Sequence, residues 1–500
     1  MKKTIIISTI LAATAFAVTS CNLDLRPAGT LEPANAFQTL SDAEHLRAGN
    51  YIAFRGRVSG TVTYTPDLAS DLFHAVLEFG NRGGTFYDWI YTSVDGEAET
   101  VWNNCYYAIA NVNYFIDNAN SCNKADWSDE DLATLKNYIG EAFFLRAFYH
   151  FQLIEKFCPD YEGNEETFGI PYMKHYNPTS DQTKYPNRGT MSGTYANIMD
   201  DLDSAAAYVS APGQKASIWI TSDAVKALTA RVALNMRDYQ TAIENASALI
   251  NSGTYPLISD AAAFNDIWAN DSGDEAILQL TGSYPGALPS SYSYNYVGYN
   301  ANTGVYTPDY IPEQWLLDLF TENAGDIRYS AFFEDVTIFE NYPVTIFYKF
   351  VGNPALKDPT AVGNSGVNLA KPFRISEQYL ILAEAYARSG NSPQAFTVLN
   401  QIREKRIPGY VGNQAGDVLE EIFEERIKEL IGEGFYWTDL KRFEKPMQRG
   451  EAQAGAPIRP INNEMHRDAS DYRWVWPIPQ EELDANPNIA NQQNPGYSGN

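Results

Sequence analysis

Residues 376–406 read SEQYLILAEAYARSGNSPQAFTVLNQIREKR. Apolar side chains recur every three or four positions in each half, and Ser389-Gly390-Asn391 forms a polar break between them. The stretch therefore reads as helix, turn, helix. Ala383 lies in the first helix and Ala395 in the second. Residues 222–253, SDAVKALTARVALNMRDYQTAIENASALINSG, repeat the arrangement with Ala230, Ala242 and the break Met236-Arg237-Asp238. Small residues at this spacing let two antiparallel helices approach closely, whereas larger ones would hold them apart. Upstream, Leu135, Ile139, Phe143, Ala147 and Phe151 draw one apolar stripe along residues 129–158. Ser128 followed by Asp129, Glu130 and Asp131 supplies an N-cap and acids at the positive helix end, and Pro159 stops the run. The chain is expected to be mostly α.

At 500 residues the chain is too long for one simple core. It is 44% hydrophobic and 20% charged, the composition of a folding protein. Lys and Arg total 36 against 62 Asp and Glu, for a net charge of −26. That balance argues against nucleic acid and against electrostatic docking on anionic lipid. Lys2 and Lys3 precede an uncharged apolar stretch from Ile5 to Val18, too short to span a membrane and fitting a secretory signal. Val18-Thr19-Ser20-Cys21 resembles a bacterial lipoprotein box, which makes residues 1–20 a signal peptide and Cys21 the lipidated first residue. Residues 21–40, with Pro27, Gly29 and Pro33, suit a tether. Three cysteines then remain, an odd number that excludes a complete disulfide framework. Buried thiols are expected, with a Cys105–Cys122 bridge left open.

Tyrosine outnumbers phenylalanine, 33 to 25. The excess concentrates in an irregular region. Residues 283–310 read SYPGALPSSYSYNYVGYNANTGVYTPDY, and only Tyr292, Tyr294 and Tyr296 alternate as a strand face would. Long irregular segments in compact domains are usually functional or disordered, and this many aromatics argues against disorder. Enzyme motifs are scarce: no two of the five histidines lie three or four apart, and no nucleophile elbow, phosphate loop or dinucleotide fingerprint occurs. No metal site and no cofactor are expected. Asn270-Asp271-Ser272-Gly273-Asp274-Glu275 lacks calcium-loop spacing and reads as an acidic surface turn. The charges Glu425, Arg426, Glu429, Glu433, Asp439 and Arg442 read as structural ion pairs, as does Arg146 within its apolar stripe. Trp102 and Trp437 read as core.

Several segments together carry a family resemblance. They are Trp102-x3-Tyr106-x2-Ile109-x3-Asn113, Glu141-Ala142-x2-Leu145-Arg146-Ala147-Phe148-Tyr149 with Gly169-Ile170-Pro171, and Arg374-Ile375-Ser376-Glu377-x-Tyr379-Leu380. Further ones are Glu425-Arg426-x2-Glu429-Leu430-x2-Glu433-Gly434-x2-Trp437-x-Asp439 and Pro477-Ile478-Pro479 leading to Gln493-Asn494-Pro495-Gly496-Tyr497. In these the chain resembles the SusD/RagB family of outer-membrane lipoproteins. The resemblance implies a SusD-like fold in which four tetratricopeptide-like (TPR-like) helix pairs form a scaffold and a loop-rich half holds the ligand. Residues 41–500 would be one composite domain, with the scaffold mainly in 41–258 and 372–443. The variable region would lie in 57–92 and 259–371, and an irregular closing segment in 444–500. The resemblance also implies a non-enzymatic protein on the outer face of the outer membrane, partnered with a SusC-like TonB-dependent barrel, that captures glycans or, in the RagB branch, peptides.

Sugar rings have a C–H face that aromatic rings shield from water and hydroxyls that Asn, Asp or Arg satisfy. Two segments offer that mixture. One is 79–91, with Asn81, Arg82, Asp88, Trp89 and Tyr91; the other is 284–310, with Tyr284, Tyr292, Tyr294, Tyr296 and Tyr299. The aromatic content favours a glycan ligand over a peptide. A third reading is a TPR-type scaffold that binds only protein.

Overall fold

The computed structural model describes residues 37–291, 293–360, 362–363, 365–459 and 466–497. Helix Asp129–Phe157 starts where Ser128 caps it: the Ser128 hydroxyl accepts from the Asp131 amide, and the Asp131 carboxylate accepts in return from the Ser128 amide. Its apolar stripe packs on helices Gly96–Ser121 and Met191–Tyr208. From there helix follows helix in chain order: Ser222–Asn235, Tyr239–Asn251, then Ile375–Arg388, Ser392–Arg406 and Val418–Leu430. Ala230, Ala242, Ala383 and Ala395 are all fully buried in one cluster where these helices meet. The small residues stand at the close approaches, and the scaffold is mostly α as expected.

The acidic motif of helix Val418–Leu430 holds the scaffold to the loop-rich half. Glu429 accepts from Arg374 at 2.9 Å and from Arg406 at 2.9 Å, and Glu425 accepts from Arg328 at 2.6 Å and Arg403 at 2.7 Å. Glu433 pairs with Arg374 and Lys349. Burial alone would raise the Glu425 carboxyl, but the charges of Arg328 and Arg403 overcome it and hold it at about 2. Arg146 is likewise buried, forked onto Asp201 at 2.6 and 2.7 Å. One expectation needs correction. The turn at 270–275 is a surface feature only in part: Asn270 and Ser272 are exposed, but Asp271 is buried against Lys371 at 2.6 Å, and Glu275 is fully enclosed and paired with Arg406 at 2.8 Å. Its acids are there to neutralise cations brought from far along the chain.

The loop-rich half carries short strands. Phe73–Ala75 pairs antiparallel with Tyr310–Pro312, and Ala276–Leu278 with Phe373–Arg374. A small sheet joins Tyr299–Asn300, Val305–Tyr306, Phe333–Ile338 and Tyr342–Phe347. The closing segment crosses back to the first half. Trp476 donates its amide to Lys156 O at 2.8 Å, and Asn494 spans Phe157 O and Trp476 O at 2.9 and 2.6 Å. Arg188 donates to Asn494 at 2.8 Å. Cys105, Cys122 and Cys158 are free thiols, so no Cys105–Cys122 bridge forms. No helix among the described residues is long and apolar enough to cross a membrane.

Candidate functional site

The two tyrosine-bearing segments do meet, but mostly by burying one another. Arg82 forks onto Asp309 at 2.5 and 2.6 Å, and the Tyr310 hydroxyl donates to Arg82 O. Phe79 and Tyr87 lie 5.8 and 5.5 Å from the Tyr310 ring. Trp89 is fully buried between Trp437 and Trp474 and donates its indole N–H to Ala69 O at 2.6 Å. Tyr91 stacks on Phe86 at 4.2 Å and gives its hydroxyl proton to Arg473 O. Tyr296 is buried between Phe73 and Phe347. These three rings have no face to offer a ligand: the closing residues 437–497 cover Trp89 and Tyr91, and Phe73, on the strand paired with 310–312, covers Tyr296 together with Phe347.

Other expected site residues differ. Asp88 is paired with Arg459 at 2.8 Å. Asn81 is exposed on a turn with φ of 59°. Tyr299 is half-buried on Tyr306, their ring centroids 4.8 Å apart. Tyr284 is 41% exposed, its hydroxyl donating to Asp358 at 3.1 Å. Ser293–Tyr296 is a helical turn and not a strand face, so alternation misread this stretch. Tyr294 sits on that turn; Tyr292 and Cys21 lie outside the described residues.

Beside Tyr284 the same loop reaches a cleft. It has a volume of ≈ 320 Å³ and is lined by residues 56–57, 59–62 and 64, by Thr100 and Asn104, and by Ser290 and Ser291. Gly60 allows the closure: with φ of 81°, its place leaves a Cβ only 3.1 Å from the Ser290 hydroxyl. One wall is the helix Gly96–Ser121, which contributes Thr100 and Asn104; Tyr107 follows at helical spacing on the same outer face, just beyond the lining. Tyr107 is 64% exposed, and the Arg57 guanidinium sits 5.8 Å from its ring. Tyr64, half-buried, faces the cleft from the other side. Arg57 is held by two carbonyls: Nε donates to Asn104 O at 2.6 Å and Nη1 to Ala53 O at 2.9 Å. The site thus combines tyrosine rings with hydroxyls, an amide and a guanidinium, the mixture that binds polar ring compounds.

Two family models match the chain: "SusD family" over residues 293–497, and "Starch-binding associating with outer membrane" over residues 55–234. The chain belongs to the SusD/RagB family. Among SusD relatives, SusD-like protein P38 of Formosa agariphila is 24% identical over 421 residues, covering 72% of this chain and 74% of that protein. A crystal structure of a SusD superfamily protein from Bacteroides thetaiotaomicron superposes with a TM-score of 0.78 at 26% identity, over 91% of this chain and 100% of that one. A SusD-like carbohydrate binding protein from Bacteroides vulgatus has the same fold, with a TM-score of 0.74 at 19% identity over 92% and 98% of the two chains.

Reading the sequence for the buried face of helix Gly96–Ser121 (Trp102, Tyr106, Ile109) passed over its outer face. The signal was present: Thr100, Asn104 and Tyr107 interleave with the buried set at the same period.

Proposed function

We propose that this SusD-family protein is a surface lipoprotein, anchored through Cys21, that captures oligosaccharides or polysaccharide and passes them to a SusC-type TonB-dependent barrel. It acts by binding and is not an enzyme. The observation that carries the reading is the cleft itself, lined by Thr100, Asn104, Tyr64 and the Ser290–Ser291 loop, with the exposed Tyr107 ring outside its lining but next along the same helix face and beside Arg57. A tyrosine ring removes a sugar's C–H face from water, and the flanking amide and hydroxyls replace the water bonded to its rim. The family description and the carbohydrate-binding relative support the same class of ligand. Tyr284, on the loop that closes the cleft, is proposed as a further contact.

Isothermal titration of the mature protein against a panel of oligosaccharides and oligopeptides tests this. Glycan binding weakened about tenfold or more by Tyr107→Ala, with unchanged melting temperature, is the expected result. Binding of oligopeptides with no glycan response would favour the RagB-like reading instead.

A further inference from the structure

The cleft is unusual for so acidic a molecule. Among the described residues no Asp or Glu lines it, although the chain holds 62 of them, and Arg57 is the one charged residue of the lining. Like the fully buried Arg188 and Arg449, Arg57 is bonded to neutral oxygens, but it alone of the three lines the cleft, and it differs from several scaffold arginines. Arg47, Arg146, Arg231 and Arg328 each meet a carboxylate, at 2.6, 2.6, 2.6 and 2.6 Å. Arg57 meets only the carbonyls of Ala53 and Asn104, and among the described residues its Nη2 makes no hydrogen bond. A half-buried guanidinium bonded to neutral oxygens keeps its full charge available to an anion. Ser59 stands in the same cleft, 5% exposed, with its hydroxyl unpartnered among the described residues. Ser59 also lines a second cavity of ≈ 100 Å³ together with Lys156, whose charge is favoured by the nearby carboxylates of Glu155 and Asp67. That charge is matched from within the fold, whereas the charge of Arg57 is not.

We propose that the cleft selects acidic glycans, seating an anionic oxygen of one sugar unit, carboxylate or sulfate, on the Arg57 guanidinium with Ser59 as a second donor. The inference rests on the glycan reading above and narrows it. The net charge of −26 repels polyanions at long range, but that field is screened within about 8 Å at physiological salt, so the local cation decides at contact.

The test is an array of neutral, uronate-bearing and sulfated oligosaccharides probed with the mature protein. Each acidic hit is then titrated beside its methyl ester or desulfated form, which keeps the sugar and removes the charge. The charged form is expected to bind at least about tenfold tighter. Arg57→Gln should abolish that difference, and Arg55→Gln, which removes a neighbouring cation bonded to Thr281 O, should leave it. The uronate and sulfate arms identify which anion is preferred. Binding confined to neutral glycans, or a charge preference that survives Arg57→Gln, overturns the inference while leaving glycan capture standing. No glycan binding at all defeats the underlying reading. Should Arg57→Gln fail to fold, the ester comparison on the native protein still decides.

Discussion

Arg82 and Asp309, 227 positions apart, close on each other through two parallel hydrogen bonds of 2.5 and 2.6 Å. Arg82 is largely in solvent and Asp309 is 2% exposed. Burial pushes the Asp309 carboxyl up to about 6 even against the pull of Arg82. Arg82→Ala is expected to cost about 1–2 kcal/mol at pH 8, a modest sum because the arginine is half solvated. Asp309 titrates in the fold above its unfolded value, so ionising it opposes folding. The loss should therefore shrink as pH falls from 8 to 5, which urea titrations at the two pH values would reveal. A pH-independent loss would mean the pair acts only through packing.

Ala242 and Ala383 hold two helix pairs at close range, both with no exposed surface. Ala242→Leu inserts methylene groups where neither helix can retreat. It should lower stability by about 1–3 kcal/mol, with the rest of the fold retained by circular dichroism. A neutral outcome would show that the interface has slack.

Glu384 and Glu425 are expected to set the acid limit. Burial opposes their ionisation, but Arg442 and Arg388 around Glu384, and Arg328 and Arg403 around Glu425, bring each to about 2. A carboxyl depressed from 4.5 stabilises the fold at neutral pH, and that stabilisation disappears as pH falls from about 4.5 through 2. Each contributes roughly 3 kcal/mol on this accounting. Glu384→Gln should be strongly destabilising at pH 6 and nearly indistinguishable from wild type near pH 2. Asp67 and Asp71 work the other way, raised by burial to about 7 and about 6, so each withdraws a few kcal/mol of stability as pH rises from about 4 to its folded value.

Thiol chemistry gives an independent check of burial. The Cys105 thiol is pushed up to about 12 by its enclosure, whereas Cys122 is half-buried at a helix end. In a Cys21→Ser background, iodoacetamide should label Cys122 first and reach Cys105 and Cys158 only in denaturant. Equal labelling of all three in buffer would contradict the packing of helix Gly96–Ser121.

The scaffold was legible because its signals are local. Ser128 with Asp131 announces a helix start, alanines announce close helices, and the Glu425–Glu433 ladder announces buried cations. The tyrosine segments were not, because what buries Trp89 is Trp437 and Trp474, some 350 to 385 positions on, and what buries Tyr296 is Phe73 and Phe347, contacts across the chain that leave no periodic trace. Loop composition resembles exposure, yet partners far along the chain decided which rings stay wet. Tyr107, in a regular helix, turned out more accessible than Trp89, Tyr91 or Tyr296.

The bonds from Trp476 and Asn494 to the end of helix Asp129–Phe157 have a temporal meaning. The carbonyls of Lys156 and Phe157 are synthesised early and wait for donors made some 320 residues later. Until those are made, these two carbonyls lack their partners in the closing segment. A chain terminated before Trp476 would lack these bonds altogether.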